Sequence, residues 1–287
     1  MTLRNDISVK AYAKINLYLD ITGRRGDGYH LLETIMQTVS LCDDLSISLR
    51  NNGEIVLYAD NDFSGDIPCD ERNIAVRAAK RFYENTPGLF SGLEIHLTKN
   101  IPSQAGLGGG SADAAAVLRG LYELHEKPFE EDRLYNIALS LGADVPFCLL
   151  GGAAICHGIG EEMTAVASID EGLSILIAKG GCGISTAAAF SEIDRVGFAE
   201  NRTDEILELY HKGDYSSLCF NRFEQVTALD EIRSLKEKML GFGAKAACMS
   251  GSGSAVFGIF KNADNADRLS AELRKNGFFA EVCRAKG

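Results

Sequence analysis

Between residues 7 and 60 the apolar positions fall into four β-rich segments, VKAYAKINLYLDITG, LETIMQTVSL, DLSISL and EIVLYA, spaced by Gly, Asp and Asn turns. That spacing predicts four β-strands. After a loop, NDFSGDIPCDE, the period changes: Ile74, Val76, Ala78, Ala79, Phe82 and Tyr83 with basic residues between them predict an amphipathic helix opening at Asn73. LEIHLTK returns to period two. IPSQAGLGGGSADAAAVLRGLYEL then reads as a glycine-rich turn running into an Ala-rich helix, and EEDRLYNIALSLG as a second helix closed by Gly142. GADVPFCLLGG follows as a turn with a short apolar segment. Beyond Gly160 the order is LSILIAK (strand), TAAAFSEI (helix), helical stretches from Asp204 to Leu240, AKAACMS and AVFGIF (strands), ADRLSAELRKN (helix) and FFAEVCR (strand). With the inserted helices set aside this is β-α-β-β-α-β, the order of a ferredoxin-like split layer.

At 287 residues the chain exceeds the usual size of one core, so two domains are expected, 1–160 and 161–287. Its 29 Lys and Arg against 40 Asp and Glu give a net charge of −11, which would repel a polyanion and disfavours nucleic acid as a partner. A small anionic substrate needs only local positive potential. No apolar run has the length of a membrane span and the N-terminus lacks the apolar core of a signal peptide, so a cytoplasmic protein with no membrane partner is expected. The eight cysteines are scattered without zinc spacing and read as reduced, mostly buried thiols.

The candidate chemistry lies in PSQAGLGGGSA, Pro102 to Ala112, where four glycines (Gly106, Gly108, Gly109, Gly110) fall within five positions before a helix. Glycine admits positive φ and close approach, so backbone N–H groups can curl round a phosphate while the helix directs its N-terminal dipole at the same point. A ligand-free connector or helix cap is the competing reading. No GK dipeptide exists for a Walker A loop. A dinucleotide fingerprint aligned on Gly106 and Gly108 would put Ser111 at its third glycine.

Three segments together resemble the GHMP kinase superfamily, the group of galactokinase, homoserine kinase and mevalonate kinase: AYAKINLYLDITGRRGDGYHLLET, PSQAGLGGGSADAAA and MSGSGSAVFGIF. The first, with LGADVPFCLLGGAAICHGIGE, is most similar to the members that phosphorylate a CDP-linked polyol, and the likeness is weakest between about Val196 and Leu229. Ala112 departs from a usual Ser, and Ser254 from a frequent Pro.

The resemblance implies an α+β, two-domain GHMP kinase fold with a ribosomal-protein-S5-like N-terminal domain and a ferredoxin-like C-terminal domain. It implies an ATP-dependent transfer to a hydroxyl of a CDP-linked polyol, by a monomer or homodimer. Lys14 and Asp144 match the family's catalytic pair: Asp144 would orient the acceptor hydroxyl and accept its proton late, and Lys14 would hold Asp144 and favour the alkoxide. An N-cap before Pro146 is the plainer reading of Asp144. The loop residues Pro102, Ser103, Gln104, Ala105, Gly106, Leu107, Gly108, Gly109, Gly110, Ser111 and Ala112 would wrap the triphosphate of ATP, with Ser111 a ligand for Mg²⁺ or a phosphate donor. Asn73 and Lys99 match positions near adenine. With no Trp in the chain, Tyr29, His30 and Phe190 would recognise cytosine and Asn16 would touch the polyol. The CDP handle makes physical sense because remote binding energy can hold a small flexible polyol for attack.

Overall fold

A computed structural model of the chain describes residues 5–61, 67–227 and 229–287. Residues 62–66, part of the loop expected before the first helix, and residue 228 lie outside the described residues. The elements of the first half are β1 (Asp6–Arg24), β2 (His30–Leu49), β3 (Ile55–Asn61), α1 (Ile74–Glu84), β4 (Leu93–Lys99), α2 (Gly109–Leu124), α3 (Glu131–Leu141) and α4 (Val145–Leu150). Those of the second half are β5 (Ala153–His157), β6 (Glu162–Val166), β7 (Ser174–Lys179), α5 (Thr186–Val196), α6 (Thr203–Lys212), α7 (Tyr215–Leu218), β8 (Phe220–Asn221), α8 (Asp230–Gly241), β9 (Ala246–Met249), β10 (Val256–Phe260), α9 (Ala263–Lys275) and β11 (Phe279–Cys283).

Two compact units share the chain discontinuously. The first comprises Met1–Ala13, Leu41–Ser103 and Gly108–Leu150; the second comprises Lys14–Ser40, Gln104–Leu107 and Gly151–Gly287. In the first unit the strand order is β3-β4-β2-β1, with β4 parallel to β3 and antiparallel to β2. Alternation in β4 sends Leu93, Ile95 and Leu97 into the core and His96 and Thr98 out to solvent. Over the apolar face lie α1 and the alanine-rich α2, which pack Phe82, Val117, Leu118 and Leu121 against those strand residues. Fully burying one such leucine or phenylalanine stabilises by about 1.5–3 kcal/mol.

LETIMQTVSL and DLSISL are not two strands with an acidic turn between them; Cys42, Asp43 and Asp44 continue β2. Aspartate normally disfavours a strand, but the Asp43 carboxylate is fully buried and paired with Lys99, so tertiary pairing overrides local preference.

The second unit contains an antiparallel sheet in the order β11-β7-β10-β9. Numbered within the module that is 4-1-3-2, the arrangement expected of the ferredoxin-like order, and every neighbouring pair runs antiparallel. Its core joins Leu176, Val256 and Phe260 to Met239 of α8 and to Leu269 and Leu273 of α9. The same unit holds a β5–β6 hairpin on β2, with Ile35 opposite Ile155, and the short β8 parallel to β1. In GADVPFCLLGG, expected to be a turn with a short apolar segment, that segment is the helix α4, which opens behind Asp144 as the N-cap reading of that residue anticipated.

Candidate active site

The glycine segment folds as the expected turn into a helix. Gln104, Gly106 and Gly108, every second residue, take left-handed φ values of 51, 73 and 69°. Alternation of left-handed with ordinary residues turns successive N–H groups toward one point, the geometry of an anion nest. Gly108 is the N-cap of α2 and makes no side-chain cap, which leaves the first N–H groups of the helix to be satisfied from outside. Ser111 is the third helical residue and half-buried; Ala112 is buried.

In the second unit the segment Gln104–Leu107 interlocks with the SGSGSA turn that joins β9 to β10. Ser250 Oγ donates to the Gly106 carbonyl at 2.9 Å, and Ala255 N donates to the Ala105 carbonyl at 3.1 Å. The contact is so close that a Cβ on Gly106 would stand 2.0 Å from the Ser250 carbonyl oxygen. The same turn meets β1. Gly251 N donates to Asn16 Oδ1 at 3.1 Å, and Asn16 N donates to Ser250 Oγ at 3.3 Å.

Lys14 and Asn16 point the same way from β1, two residues apart. Both are buried, and Lys14 Nζ donates to Asn16 Oδ1 at 2.7 Å. Asn16 Nδ2 in turn donates to Thr34 Oγ1 at 2.9 Å. The Asn16 amide thus holds a buried ammonium in a fixed place, and its hydrogen-bonding capacity is largely used within the protein. Lys14 N also donates to the Leu107 carbonyl at 3.0 Å, tying the strand to the glycine segment. In the first unit the half-buried Asp144 immediately precedes α4, and its carbonyl accepts from Cys148 N at 3.1 Å.

Lys99 and Asn73 belong to the first unit. Asn73 caps α1: its Oδ1 accepts from Ala75 N and its Nδ2 donates to the Pro68 carbonyl, both at 2.9 Å. Lys99 ends β4 with its ammonium buried between two carboxylates, Asp43 and Asp113, the latter at 2.6 Å. Burial works against the Lys99 charge, but Asp113 and Asp43 more than offset it and hold its pKa above the ordinary lysine value. Burial, reinforced by Asp43, pushes the Asp113 carboxyl well above the usual carboxylate range against the pull of Lys99. No sequence spacing announces this trio, whose members lie 56 and 14 positions apart.

Of the residues expected at cytosine, all three lie in the second unit. Tyr29 is 59% exposed, with the Arg25 guanidinium 5.9 Å from its ring centroid. The His30 ring stacks on Phe190 at 4.4 Å between centroids, 17° from parallel, so these two rings pair with each other. His30 Nε2 lies 2.8 Å from Asp194 Oδ1, a partner 164 residues away that the sequence did not single out.

Residues 73–152 match the model of the GHMP kinases N terminal domain, and residues 196–278 that of the GHMP kinases C terminal domain. A 4-diphosphocytidyl-2-C-methyl-D-erythritol kinase of Clostridium acetobutylicum is 39% identical over 275 residues, covering 94% of this chain and 96% of its own. The protein of that name from Caldicellulosiruptor saccharolyticus is 41% identical over 281 residues, covering 96% and 94%. Among solved structures, a 4-(cytidine 5'-diphospho)-2C-methyl-D-erythritol kinase matches with a TM-score of 0.82 at 32% identity over 98% of this chain and 100% of that one. A homoserine kinase from Cytophaga hutchinsonii, with a TM-score of 0.71 at 19% identity over 98% and 95%, shares the fold. With two family domains in order and relatives alike along almost its whole length, the chain belongs to the GHMP kinase family.

Proposed function

We propose that the protein transfers the γ-phosphoryl group of ATP to the 2-hydroxyl of 4-diphosphocytidyl-2-C-methyl-D-erythritol, a step of the non-mevalonate route to isoprenoid precursors. The observation that carries this reading is the 39–41% identity, over 94–96% of the chain, to kinases of that name. The left-handed alternation of Gln104, Gly106 and Gly108 supports ATP as the donor, since it supplies the amide nest a triphosphate needs. We place the cytosolic compartment and the division of the two family modules near residue 160 within the same proposal. Among the described residues no helix is long and apolar enough to cross a membrane.

Phosphoryl transfer asks a protein for position and charge stabilisation more than for covalent chemistry. In this reading Pro102 to Ala112 hold the triphosphate through main-chain amides. Lys14, fixed by Asn16, stabilises negative charge on the acceptor oxygen, and Asp144 orients that hydroxyl and takes its proton late. Asn16 positions Lys14 and reaches the polyol only through what its four partners leave free. Lys99 has two of its three N–H groups committed to carboxylates, so one remains for adenine, and Asn73 contributes beside it from the start of α1. Tyr29 offers an open ring face to cytosine, and the stacked pair of His30 and Phe190 contributes to the same recognition as one unit.

Among the described residues no group of three or more His, Cys, Asp or Glu side chains is arranged to hold a metal. A hydroxyl beside main-chain amides suits an Mg²⁺ ion carried in by the phosphates of ATP, with Ser111 as the protein ligand. That ion would neutralise charge on the phosphoryl oxygens.

The test is to mix the protein with ATP, Mg²⁺ and the CDP-linked methylerythritol and to locate the new phosphate by ³¹P NMR. A new phosphomonoester on the 2-oxygen is expected. Turnover with homoserine or mevalonate but not with the CDP-linked alcohol would overturn the acceptor assignment.

A further inference from the structure

The buried trio in the first unit is more than a salt bridge, because its members sit on both sides of the phosphate loop. Asp43 comes from the middle of β2. Its Oδ1 accepts from the main-chain N–H groups of Asn100 and Ile101, at 2.6 and 2.8 Å, which are the two residues leading from β4 into the loop. Its other oxygen takes the Lys99 ammonium. Lys99 also binds Asp113 Oδ2 at 2.6 Å, and Asp113 is the fifth residue of α2, one turn beyond the loop's exit. The side chains of Lys99, Asp43 and Asp113 are 8%, 0% and 5% exposed.

The ammonium also lies close under the start of that helix. A Cβ on Gly109 would stand 3.5 Å from Lys99 Nζ and 3.0 Å from Ile101 Cγ2, so entry and exit of the loop touch where the trio sits.

We infer that Asp43, Lys99 and Asp113 form a clasp across the base of the glycine loop, and that Asp113 is a positioning residue for ATP that acts through the first N–H groups of α2. This rests on the reading of the loop as the ATP site. Three observations argue for it together. Buried charges are retained at a desolvation penalty that apolar residues of similar volume would avoid, so a trio kept at a loop's base points to specificity of placement. The partners are spread so that no single element could shift without breaking one of the bonds. Asp113 Oδ1 has no hydrogen-bond partner among the described residues and is buried, so this carboxyl is not there to satisfy itself; one oxygen serves Lys99.

The experiment compares Asp113→Ala with Asp113→Asn in the full chain. Asparagine keeps a side-chain oxygen of the same shape to receive Lys99; alanine removes it. MgATP affinity is measured by calorimetry without any acceptor, and the KM of the CDP-linked alcohol is measured separately. Asp113→Ala should weaken MgATP about tenfold, leave the acceptor KM within twofold, and speed amide hydrogen exchange at Asn100, Ile101 and Gly109 to Ala112. Asp113→Asn should restore MgATP affinity to within twofold of the parent. Asp113→Ser, which also forfeits the carboxylate but leaves a polar group in the space, is run beside the alanine variant; if alanine folds poorly, a folded serine variant should itself show the roughly tenfold weakening of MgATP. Unchanged MgATP affinity in a folded alanine or serine variant overturns the clasp, as does an asparagine variant as weak as alanine. Tight MgATP binding by a parent that does not phosphorylate the CDP-linked alcohol would instead unseat the proposed acceptor and leave the clasp standing.

Discussion

Gly106→Ala is the sharpest single perturbation of the glycine segment, because its effect can be worked from two independent features. The residue sits at φ 73°, where a non-glycine side chain costs about 1–2 kcal/mol. The added methyl would stand 2.0 Å from the Ser250 carbonyl oxygen, against 3.4 Å for an ordinary contact. The two segments must therefore separate by 3.4 − 2.0 = 1.4 Å, too far for the hydrogen bonds from Ser250 Oγ to Gly106 (2.9 Å) and from Ala255 N to Ala105 (3.1 Å) to survive. Two neutral hydrogen bonds at ~1 kcal/mol each bring the total to about 3–4 kcal/mol. This is a large fraction of the 5–15 kcal/mol by which domains are typically stable, yet leaves a folded population. Ser250 also accepts from Asn16 N, so the displacement reaches the residue that holds Lys14, and kcat should fall together with ATP affinity. Urea unfolding followed by circular dichroism reads the stability, and ADP release reads the rate. Gly110→Ala is the internal control: its φ is not left-handed, its methyl would meet nothing nearer than Ile74 Cγ2 at 3.4 Å, and alanine favours helix by up to about 1 kcal/mol. A Gly106→Ala loss below ~1 kcal/mol, or one no larger than that of Gly110→Ala, would refute the interlock.

Asp144→Ala should lower kcat by at least ~10²-fold, about 3 kcal/mol, and near-normal turnover by a folded variant would remove Asp144 from the mechanism. Tyr29→Ala should raise the acceptor KM about tenfold with ATP affinity held, and because the ring is 59% exposed the melting point should hardly move; parallel loss of both substrates would mark a structural fault. A thiol reagent should label Cys69 and Cys182 at once in the native protein and reach Cys156, Cys248 and Cys283 only after denaturation, with mass spectrometry of the labelled peptides deciding. The pKa of Asp113 is raised on folding from its ordinary 3.8, so the folded state holds a proton that the unfolded chain has released, and stability declines as pH climbs from about 4 into that raised range. Asp113→Asn abolishes the decline, so its stability advantage over the parent should grow with pH; an advantage that is flat or shrinks would contradict the raised value.

Much of the architecture was legible because it rests on local rules. The run of four glycines before an alanine-rich stretch specifies its own turn and helix, and the period changes after Gly160 gave the ferredoxin-like order that the sheet adopts. What escaped depends on partners distant in sequence. Asp43 reads as a turn residue until Lys99, 56 positions on, is placed beside it in space. His30 gives no sign of Asp194, and the β5–β6 hairpin was hidden because Ala153 to Cys156 are buried on both faces and show no alternation. Helix α4 was legible only through Asp144 and Pro146 as a helix opening, because six residues are too few for a helical period to emerge.

The discontinuous units set a schedule for synthesis. By the time residue 150 has been made the first unit has all its segments, whereas Lys14–Ser40 belongs to a unit that ends at Gly287, 287 − 150 = 137 residues later. At about 5–20 residues per second that interval lasts roughly 7–27 s. Throughout it Ile15, Leu17, Ile21, Ile35, Met36 and Val39, all buried in the finished protein, have no completed core to enter. The nascent chain therefore offers a sticky apolar ribbon to the ribosome's surroundings, and holdase chaperones acting on this interval should govern how much active enzyme a cell recovers.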